Sequence, residues 1–354
     1  MSNTLPRSVQ ALIAADVPVM LWGPPGTGKT AAVMQAALEE EAHVEVLVGS
    51  TVDPVDVGGF IIPQPNGDTR VSPPPWVRRL RGSLDLGRQS WLFLDELSCA
   101  PPSVQAALLR VINERSAAGV DLSGCRVLAA ANPAETATDG GWLAPATANR
   151  MSHVEWRLDR KVWLTGTLAG WRKARTQAWA AAAASVAGWI SRSPDALLAV
   201  PTNSSSSRAW PSPRMWTAGI SALAMLDGGA RNGCALEVMS ACVGAPAANE
   251  WMTWVMQQDL PDAEDVLAGR ASIPARGDRQ LSTALAMVAA AASEHAERGA
   301  RLAAAVRIVA AMRRDVAIAP ARVLLSALDG DVPEELRWLG EEIADAVAVI
   351  RSAP

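Results

Sequence analysis

The 354-residue sequence has no tyrosine and only two phenylalanines, although it has 14 tryptophans. It also lacks an excess of positive charge: 32 Lys and Arg residues face 36 Asp and Glu residues, for a formal net charge of −4. This acidic balance argues against a general nucleic-acid-binding surface. No apolar run is long enough to cross a bilayer, and the N-terminus lacks the pattern of a signal peptide. We therefore expect neither a membrane-spanning helix nor a signal peptide.

The sequence is also poor in cysteine and lacks any Cys-x-x-Cys spacing. This pattern argues against a disulfide framework or a zinc site, and it is typical of reduced thiols in a cytoplasm. We expect the four cysteines to be small core residues in a cytoplasmic protein. They are Cys99, Cys125, Cys234 and Cys242.

Apolar residues make up 49% of the chain, which is long enough to bury one sizeable core and a second one. Up to about residue 158, apolar runs of β type alternate with helical stretches, which is typical of a parallel sheet covered by helices. The first part of the chain is therefore expected to be α/β. The predicted strands are 19–22, 44–48, 91–94, 127–131 and 154–158, and the clearest predicted helices run from 28 to about 41 and from 102 to about 115.

The remainder of the chain is predicted to be helical. From about Asp159 onwards, Ala, Leu, Trp and Met recur at helical spacing. A polar stretch at 201–213 is typical of a surface loop, and a second break lies at 271–278. We therefore expect an α/β core at 1–158, a helical domain at 159–260 and a helical extension at 261–354.

The segment GPPGTGKT at 23–30 matches the pattern GxxxxGK[ST], follows a predicted strand and opens a predicted helix. In such a P-loop, glycines let backbone N–H groups turn around a phosphate, and the helix N-terminus adds partial positive charge. Lys29 is predicted to bridge the β- and γ-phosphates of ATP, and the Thr30 hydroxyl to ligate Mg²⁺. The alternative is a plain Gly/Pro turn, and the strand and helix context favours the phosphate site.

Residues 91–96, WLFLDE, form an apolar strand that ends in two carboxylates, the form of a Walker B element. Asp95 is predicted to hold Mg²⁺ through water, and Glu96 to orient and polarise the water that attacks the γ-phosphate. Taken alone, an apolar run that ends in Asp-Glu is more often a strand leading into a solvated turn. The presence of a P-loop in the same chain favours the Walker B interpretation instead. The predicted nucleotide-binding residues are Gly23, Pro24, Pro25, Gly26, Thr27, Gly28, Lys29, Thr30, Ala31 and Asp95, with Thr30 and Asp95 as the metal ligands.

A third apolar strand ends at Asn132-Pro133. The Asn132 side chain is placed to lie between the first two motifs and to contact the γ-phosphate or the attacking water. Asn-Pro is also a frequent turn pair, so a turn cap explains the residue equally well.

Four segments together resemble the MoxR-type AAA+ ATPases: GPPGTGKT, FLDELSCAPPSVQAALLRVINER, LAAANP and LAPATANRMSHVEW. The resemblance is dense over about the first 160 residues and thins to one motif afterwards. It implies an AAA+ αβα core with a parallel sheet, an all-α lid and a C-terminal helical extension. It also implies a ring, a hexamer in this family, with ATP bound between neighbouring subunits.

The resemblance implies roles for two polar side chains of the core. Asn132 is similar to the sensor 1 residue, and Arg150 to the arginine finger that reaches the γ-phosphate of a neighbouring subunit. Family members carry Asp-Arg-Phe at that point, whereas this chain has Asn149-Arg150-Met151. Arg115, at the end of the preceding helix, is the rival, and a solvated helix-end arginine is the alternative for either.

In the helical half, WPSPR at 210–214 resembles the sensor 2 motif of the lid. Arg214 is then expected to reach the phosphates from the lid of its own subunit. An exposed arginine after a proline turn is the alternative.

The segment 53–71 contains Asn66-Gly67 flanked by apolar residues, which predicts a β-hairpin. In the family that the chain resembles, this region faces the central pore and contacts the remodelled partner. Phe60, Ile61 and Ile62 are therefore candidate pore-loop residues. A hairpin buried against its own domain explains the same apolar residues.

The function predicted from these features is ATP hydrolysis that remodels or matures a protein partner. By resemblance, the partner is often a protein with a von Willebrand factor A domain. One alternative is a nucleic-acid motor or loader, which the acidic balance disfavours. The other is a scaffold that binds ATP without turnover, which the intact Glu96 disfavours.

Overall fold

A computed structural model describes residues 5–133, 142–169, 176–201, 208–257, 260–275, 277–293, 295–328 and 333–338. Tertiary contacts divide the chain into two compact units. The first holds the described residues up to Leu158 together with 200 and 201, and the second holds those from Asp159 to Ala199 and from 208 onwards. The predicted domain boundaries at 158 and 260 stay predictions.

The first unit contains nine strands and six helices among its described residues. The strands are β1 (Val19–Trp22), β2 (His43–Val48), β3 (Phe60–Pro63), β4 (Thr69–Ser72), β5 (Ser90–Asp95), β6 (Ser116–Ala117), β7 (Val120–Asp121), β8 (Cys125–Ala131) and β9 (Ser152–Glu155). The helices are α1 (Arg7–Ala14), α2 (Lys29–Glu39), α3 (Pro54–Gly58), α4 (Pro75–Asp85), α5 (Pro102–Glu114) and α6 (Pro145–Ala148).

Five of the strands form a parallel sheet in the order β2-β5-β8-β1-β9. Along β5, side chains alternate between two buried cores, because successive residues of a strand point to opposite faces. Trp91 and Phe93 belong to the core shared with α1 and α2. Leu92 and Leu94 belong to the core shared with α4 and α5. The first unit is therefore a three-layer α/β/α fold with a parallel sheet, as the sequence predicts.

Four of the five predicted strands are confirmed, with differences of at most two residues at either end. The prediction 154–158 is displaced and overlaps β9 only at residues 154 and 155, because β9 ends at Glu155, which pairs with Trp22 at the end of β1. The predicted helix that starts at 102 ends at Glu114, since Arg115 has a φ of 50°, which is left-handed.

Two small hairpins accompany the sheet. Strands β3 and β4 pair antiparallel, with Ile61 opposite Val71, and β6 pairs antiparallel with β7. The tip of the first hairpin contains the predicted Asn66-Gly67 turn, where Gly67 has a φ of 86°. The prediction of a hairpin between β2 and β5 is therefore confirmed.

The second unit is helical in its described residues, as the sequence predicts. Its helices are α7 (Arg160–Leu168), α8 (Gln177–Arg192), α9 (Pro213–Leu223), α10 (Ala235–Val243), α11 (Ala245–Gln257), α12 (Ala263–Leu267), α13 (Gly277–Ala292), α14 (Arg298–Ala310) and α15 (Arg314–Ala327). Gly188 lets α8 approach its neighbours closely, because a Cβ there would lie 2.8 Å from the Trp254 ring and 2.7 Å from Ser282 Oγ.

Arginines at the start of α14 bind the carbonyl ends of neighbouring helices. Arg298 donates to Ala327 O of α15 at 2.9 Å, and Arg301 donates to Ala290 O of α13 at 3.0 Å. The last carbonyls of a helix lack N–H donors within the helix, and positively charged side chains are favourable at this end. The C-terminal helices are therefore joined by caps as well as by apolar packing.

The cysteines differ in their surroundings. Cys125 is buried, and burial raises the pKa of its thiol to about 12. Cys99 and Cys242 are half-buried, whereas Cys234 is exposed, so the prediction that all four are core residues is wrong for Cys234. In the part of the chain that the structure describes, no helix is both long and apolar enough to cross a membrane.

Candidate nucleotide-binding site

The segment 23–30 connects the carboxyl end of β1 to the N-terminus of α2. Gly26 and Gly28 have φ values of 75° and 93°, a left-handed conformation that glycine adopts without strain. Gly28 precedes the first residue of α2, Lys29. Because the first N–H groups of a helix lack acceptors within it, this loop presents donors and partial positive charge to an anion. Pro24 and Pro25, which are half-buried, and Ala31, which is exposed on α2, complete the predicted set.

The Lys29 side chain lies within this loop and is only 8% exposed as a residue. Its Nζ donates to Gly23 O at 2.5 Å, to Pro24 O at 3.0 Å and to Asn132 Oδ1 at 3.0 Å. Thr27 Oγ1 also donates to Pro24 O, at 2.7 Å. The ammonium group is therefore held at the carboxyl ends of β1 and β8.

The predicted metal ligands are adjacent. Thr30 Oγ1 donates to Asp95 Oδ2 at 2.7 Å, and Asp95 is the last residue of β5. Hydroxyl and carboxylate oxygens are hard ligands of the type that Mg²⁺ prefers, and Mg²⁺ is usually bound by one or two protein oxygens together with phosphates and water. Among the described residues, no group of three or more His, Cys, Asp or Glu side chains could hold a metal ion, and this two-oxygen arrangement does not need one.

Glu96 follows Asp95 in an unusual backbone conformation, with a φ of 53°. Left-handed residues other than glycine are found preferentially at functional sites. The Glu96 side chain is exposed, and its Oε2 accepts a hydrogen bond from Ser50 Oγ at 2.9 Å. A Cβ at Gly49 would lie 2.6 Å from Glu96 O, so the residues after β2 pack directly on this turn.

Asn132 lies directly after β8, beside the P-loop. Its side chain accepts from Lys29, so the structure places it between the two motifs where the sequence predicts it. Its contact with a γ-phosphate or an attacking water stays a prediction.

The two candidate arginine fingers have different environments. Arg150 is exposed and donates to Ala146 O at 2.7 Å. Arg115, whose side chain is 11% exposed, donates to Cys125 O at 2.9 Å, to both Asp16 O and Asp16 Oδ1 at 3.2 Å, and to Ile112 O. Arg115 thus joins the end of α5 to β8 and to the turn after α1.

Arg214 belongs to the second unit. It is exposed in the first turn of α9, and the preceding Ser212 accepts from Met215 N at 3.3 Å, which caps the helix. The approach of Arg214 to the phosphate site stays a prediction.

The predicted pore-loop residues are exposed on β3. Phe60, Ile61 and Ile62 are 54%, 70% and 44% exposed, and Val71 on β4 is 42% exposed. The alternative of a hairpin buried against its own domain is therefore wrong within this chain.

Sequence reasoning missed two residues that contact the site. Ser50 binds Glu96, and the indole Nε1 of Trp156 donates to Thr27 O of the P-loop at 3.2 Å. Both residues follow a strand of the parallel sheet, as the P-loop and Asp95 do. Because the carboxyl ends of parallel strands meet at one edge of the sheet, Ser50 was findable by its position after the predicted strand 44–48. Trp156 was not, because the predicted strand 154–158 contained it.

Comparison with known proteins gives one family model and several solved structures that are similar to this chain. Residues 18–151 match the family model described as AAA domain (dynein-related subfamily). No curated protein sequence matches the chain. Similar solved structures include an ATPase candidate from Cytophaga hutchinsonii, with 15% identity, a TM-score of 0.32, and coverage of 94% of this chain and 78% of that one.

Two point mutants of RuvB from Thermotoga maritima are also similar. Their identities are 15% and 14% and their TM-scores 0.38 and 0.35, and each alignment covers 81% of this chain and 80% and 79% of the RuvB chains.

The strand order, the glycine-rich turn and the buried lysine define a P-loop nucleotide-binding fold. More particularly, residues 18–151 are similar to an AAA domain of the dynein-related subfamily. The residues present fit Mg²⁺-nucleotide: the loop offers helix-terminal donors and a buried ammonium group, and Thr30 and Asp95 offer two hard oxygens 2.7 Å apart.

Proposed function

We propose that this chain is a MoxR-type AAA+ ATPase that binds Mg²⁺-ATP at residues 23–30 and hydrolyses it at interfaces between subunits of a ring. The observation that carries this proposal is the convergence of three separate sequence segments. Lys29, Asp95 and Asn132 lie at the carboxyl ends of the adjacent strands β1, β5 and β8, and side-chain hydrogen bonds link Lys29 to Asn132 and Thr30 to Asp95.

Each of these side chains has a defined task in the proposed reaction. Bound Mg²⁺ would supply neutralisation of charge on the phosphate oxygens, held by Thr30 and Asp95. Lys29 would bind the β- and γ-phosphate oxygens, and Asn132 would keep its ammonium group in place. Glu96 would orient the attacking water and accept its proton. The hydrogen bond from Ser50 gives the Glu96 carboxylate a defined position.

We further propose that Arg150 acts on the nucleotide of a neighbouring subunit. Its exposure and its location outside the buried cores support this role, whereas Arg115 is engaged by backbone carbonyls and Asp16 of its own chain. A trans-acting arginine requires a homo-oligomer, and the family resemblance supports a hexameric ring. Arg214 would bind the phosphates of its own subunit from the helical lid.

The work done by this ATPase would be the remodelling or maturation of a protein partner. The exposed apolar side chains of β3 support a protein contact, because exposed apolar patches mark interaction sites. The resemblance to MoxR-type proteins supports a partner with a von Willebrand factor A domain, and the free cysteines support a cytoplasmic location.

Phosphate release by wild type and by Glu96→Gln tests hydrolysis. We expect the variant to lose about 10²-fold or more of the turnover rate, since a positioned general base contributes at least that much. A fluorescent ATP analogue should still bind. Glu114→Gln is the matched control, because Glu114 is an exposed carboxylate paired with Arg110 on the surface of α5. Turnover by Glu96→Gln equal to that of the control would contradict the proposal.

A further inference from the structure

The P-loop is contacted by a residue that belongs to none of its motifs. Trp156 immediately follows the edge strand β9, 129 residues beyond Thr27 in sequence, and its indole N–H donates to Thr27 O at 3.2 Å. Its backbone N–H also donates to Trp22 O at 2.6 Å, so the residue is fixed at the end of β1. The indole therefore reaches the P-loop from a position that the sheet determines.

A second contact lies at the beginning of the loop. A Cβ at Gly23 would lie 2.8 Å from Trp156 O, 3.0 Å from Trp156 Cβ and 3.4 Å from the indole ring. Real Cβ atoms do not approach a backbone oxygen this closely. Trp156 thus lies against the first residue of the loop while its indole binds the fifth.

The strand that precedes Trp156, β9, is itself held against β1. Trp22 Nε1 donates to His153 Nδ1 at 2.7 Å, and His153 Nε2 lies 2.9 Å from Ala148 O. The two aromatic rings are nearly parallel, with an interplanar angle of 12°. Side-chain contacts from His153 on β9 and from Trp156 just after it therefore hold both ends of the Trp22–Thr27 segment.

The bond to Thr27 O has a consequence for phosphate binding. In a trans peptide the C=O and the following N–H point in opposite directions. Fixing the Thr27 carbonyl towards Trp156 therefore fixes the Gly28 N–H towards the opposite side. P-loops bind phosphate through such backbone N–H groups, and Gly28, with a φ of 93°, is the residue where the loop turns into α2.

We infer that Trp156 is a positioning residue of the nucleotide site, which sets the direction of the Gly28 N–H by binding the Thr27 carbonyl. This inference rests on the proposed nucleotide-binding function and assigns that function a further residue. The ligand that this site would bind is the phosphate chain of ATP or ADP.

The test compares two Trp→Phe variants by titration with a fluorescent ADP analogue and by thermal melting. Trp156→Phe removes the indole N–H and keeps an aromatic ring. Trp76→Phe is the matched control, because Trp76 in the same unit also donates its indole N–H to a backbone carbonyl, that of Asp56, at 2.6 Å. We expect about a threefold to tenfold weaker affinity for Trp156→Phe, as one hydrogen bond is lost, and no change of affinity for Trp76→Phe.

A spectroscopic measurement separates positioning from general stability. In protein labelled with 5-fluorotryptophan, the ¹⁹F resonance missing from Trp156→Phe belongs to Trp156, and we expect it to shift when ADP is added. If Trp156→Phe does not fold, a protein with 3-benzothienylalanine at position 156 is titrated instead, because that residue differs from tryptophan only in lacking the indole N–H. Wild-type affinity in Trp156→Phe, or in the 3-benzothienylalanine protein where that is titrated instead, overturns the inference, and so does a Trp156 resonance that ADP does not shift.

Failure of the inference is distinguishable from failure of the proposed function. Wild-type protein that binds ADP but never releases phosphate from ATP contradicts the proposed hydrolysis and leaves the role of Trp156 intact. Normal hydrolysis with unchanged affinity in Trp156→Phe contradicts only the role of Trp156. Absence of ADP binding by the wild type overturns both.

Discussion

The P-loop and the hairpin of β3 and β4 lie in the same unit but are built in opposite ways. In the P-loop, the charged side chain of Lys29 is almost fully buried and donates to three acceptors. In the hairpin, the large apolar side chain of Ile61 is 70% exposed, and its pairing partner Val71 is also exposed. The polar residue is inside and the apolar residues are outside.

This difference in burial matches two different requirements, those of a small-anion site and those of a protein-contact surface. A site for a small anion needs donors whose directions are fixed before the ligand arrives, because fixed dipoles cost no reorganisation during the reaction. A surface that contacts a protein needs apolar area that its own fold leaves uncovered. In the first unit, the candidate nucleotide site therefore lies at the carboxyl ends of the strands, and the exposed apolar side chains lie on a hairpin outside the five-stranded sheet.

Arg150 and Arg115 differ in a similar way, because one side chain is exposed and the other is bound within its own chain. Substitution of Arg150 is expected to have the largest effect. For Arg150→Ala we expect turnover to fall by about 10³-fold, the lower end of the range for an arginine finger, with unchanged ATP affinity and melting temperature. Steady-state phosphate release checks this. Mixing Arg150→Ala with Glu96→Gln subunits should restore part of the activity, because each supplies what the other lacks across an interface.

Arg115→Ala is the counterpart to this variant. It removes donors to Cys125 O, Asp16 and Ile112 O, so we expect a loss of about 1–3 kcal/mol in the free energy of unfolding. Denaturant unfolding measures it. A stable Arg115→Ala protein that binds ATP without hydrolysing it would make Arg115 the finger and remove the contrast between the two arginines.

The next effect concerns the buried lysine of the P-loop. Lys29→Ala should weaken the binding of a fluorescent ATP analogue by about 10²-fold or more, since charge-assisted hydrogen bonds to two phosphates are lost. Lys161→Ala, which removes an exposed lysine from α7, should bind as the wild type does. Equal affinity in both variants would show that the loop does not bind phosphate through Lys29.

The sequence predicts this site well because its residues follow short local patterns. An apolar run before GPPGTGKT predicts β1, and the run before Asp95 predicts β5. Parallel pairing then brings the ends of these strands together. Lys29, Thr30 and Asp95 are therefore located from the sequence alone, whereas the sequence left Asn132 open between this site and a turn cap. In the structure, hydrogen bonds join Lys29 to Asn132 and Thr30 to Asp95.

Contacts between distant segments were not predictable in the same way. Ser50 lies 46 residues before Glu96, and Trp156 lies 129 residues after Thr27. Neither residue belongs to a pattern that names its partner. Likewise, Asn66-Gly67 predicts a hairpin but not what covers it, because local turn chemistry determines the hairpin and tertiary packing determines its exposure. The sequence alone could therefore not decide whether Phe60 is exposed or buried against its own domain.

The smallest expected effect tests the hairpin itself. Ile61→Ala should change the free energy of unfolding by less than about 0.5 kcal/mol, as surface substitutions do. Leu92→Ala is its matched counterpart in the fully buried part of β5 and should cost about 2–5 kcal/mol, because it leaves a cavity. Urea unfolding at several protein concentrations measures both.

A larger cost for Ile61→Ala that grows with protein concentration would place β3 in a contact between copies of the chain, since association then contributes to the measured stability. A larger cost at every concentration would place Ile61 in the core of its own chain and contradict the exposed hairpin. Only a small cost at all concentrations leaves Phe60, Ile61 and Ile62 available for a protein partner, as the proposed function requires.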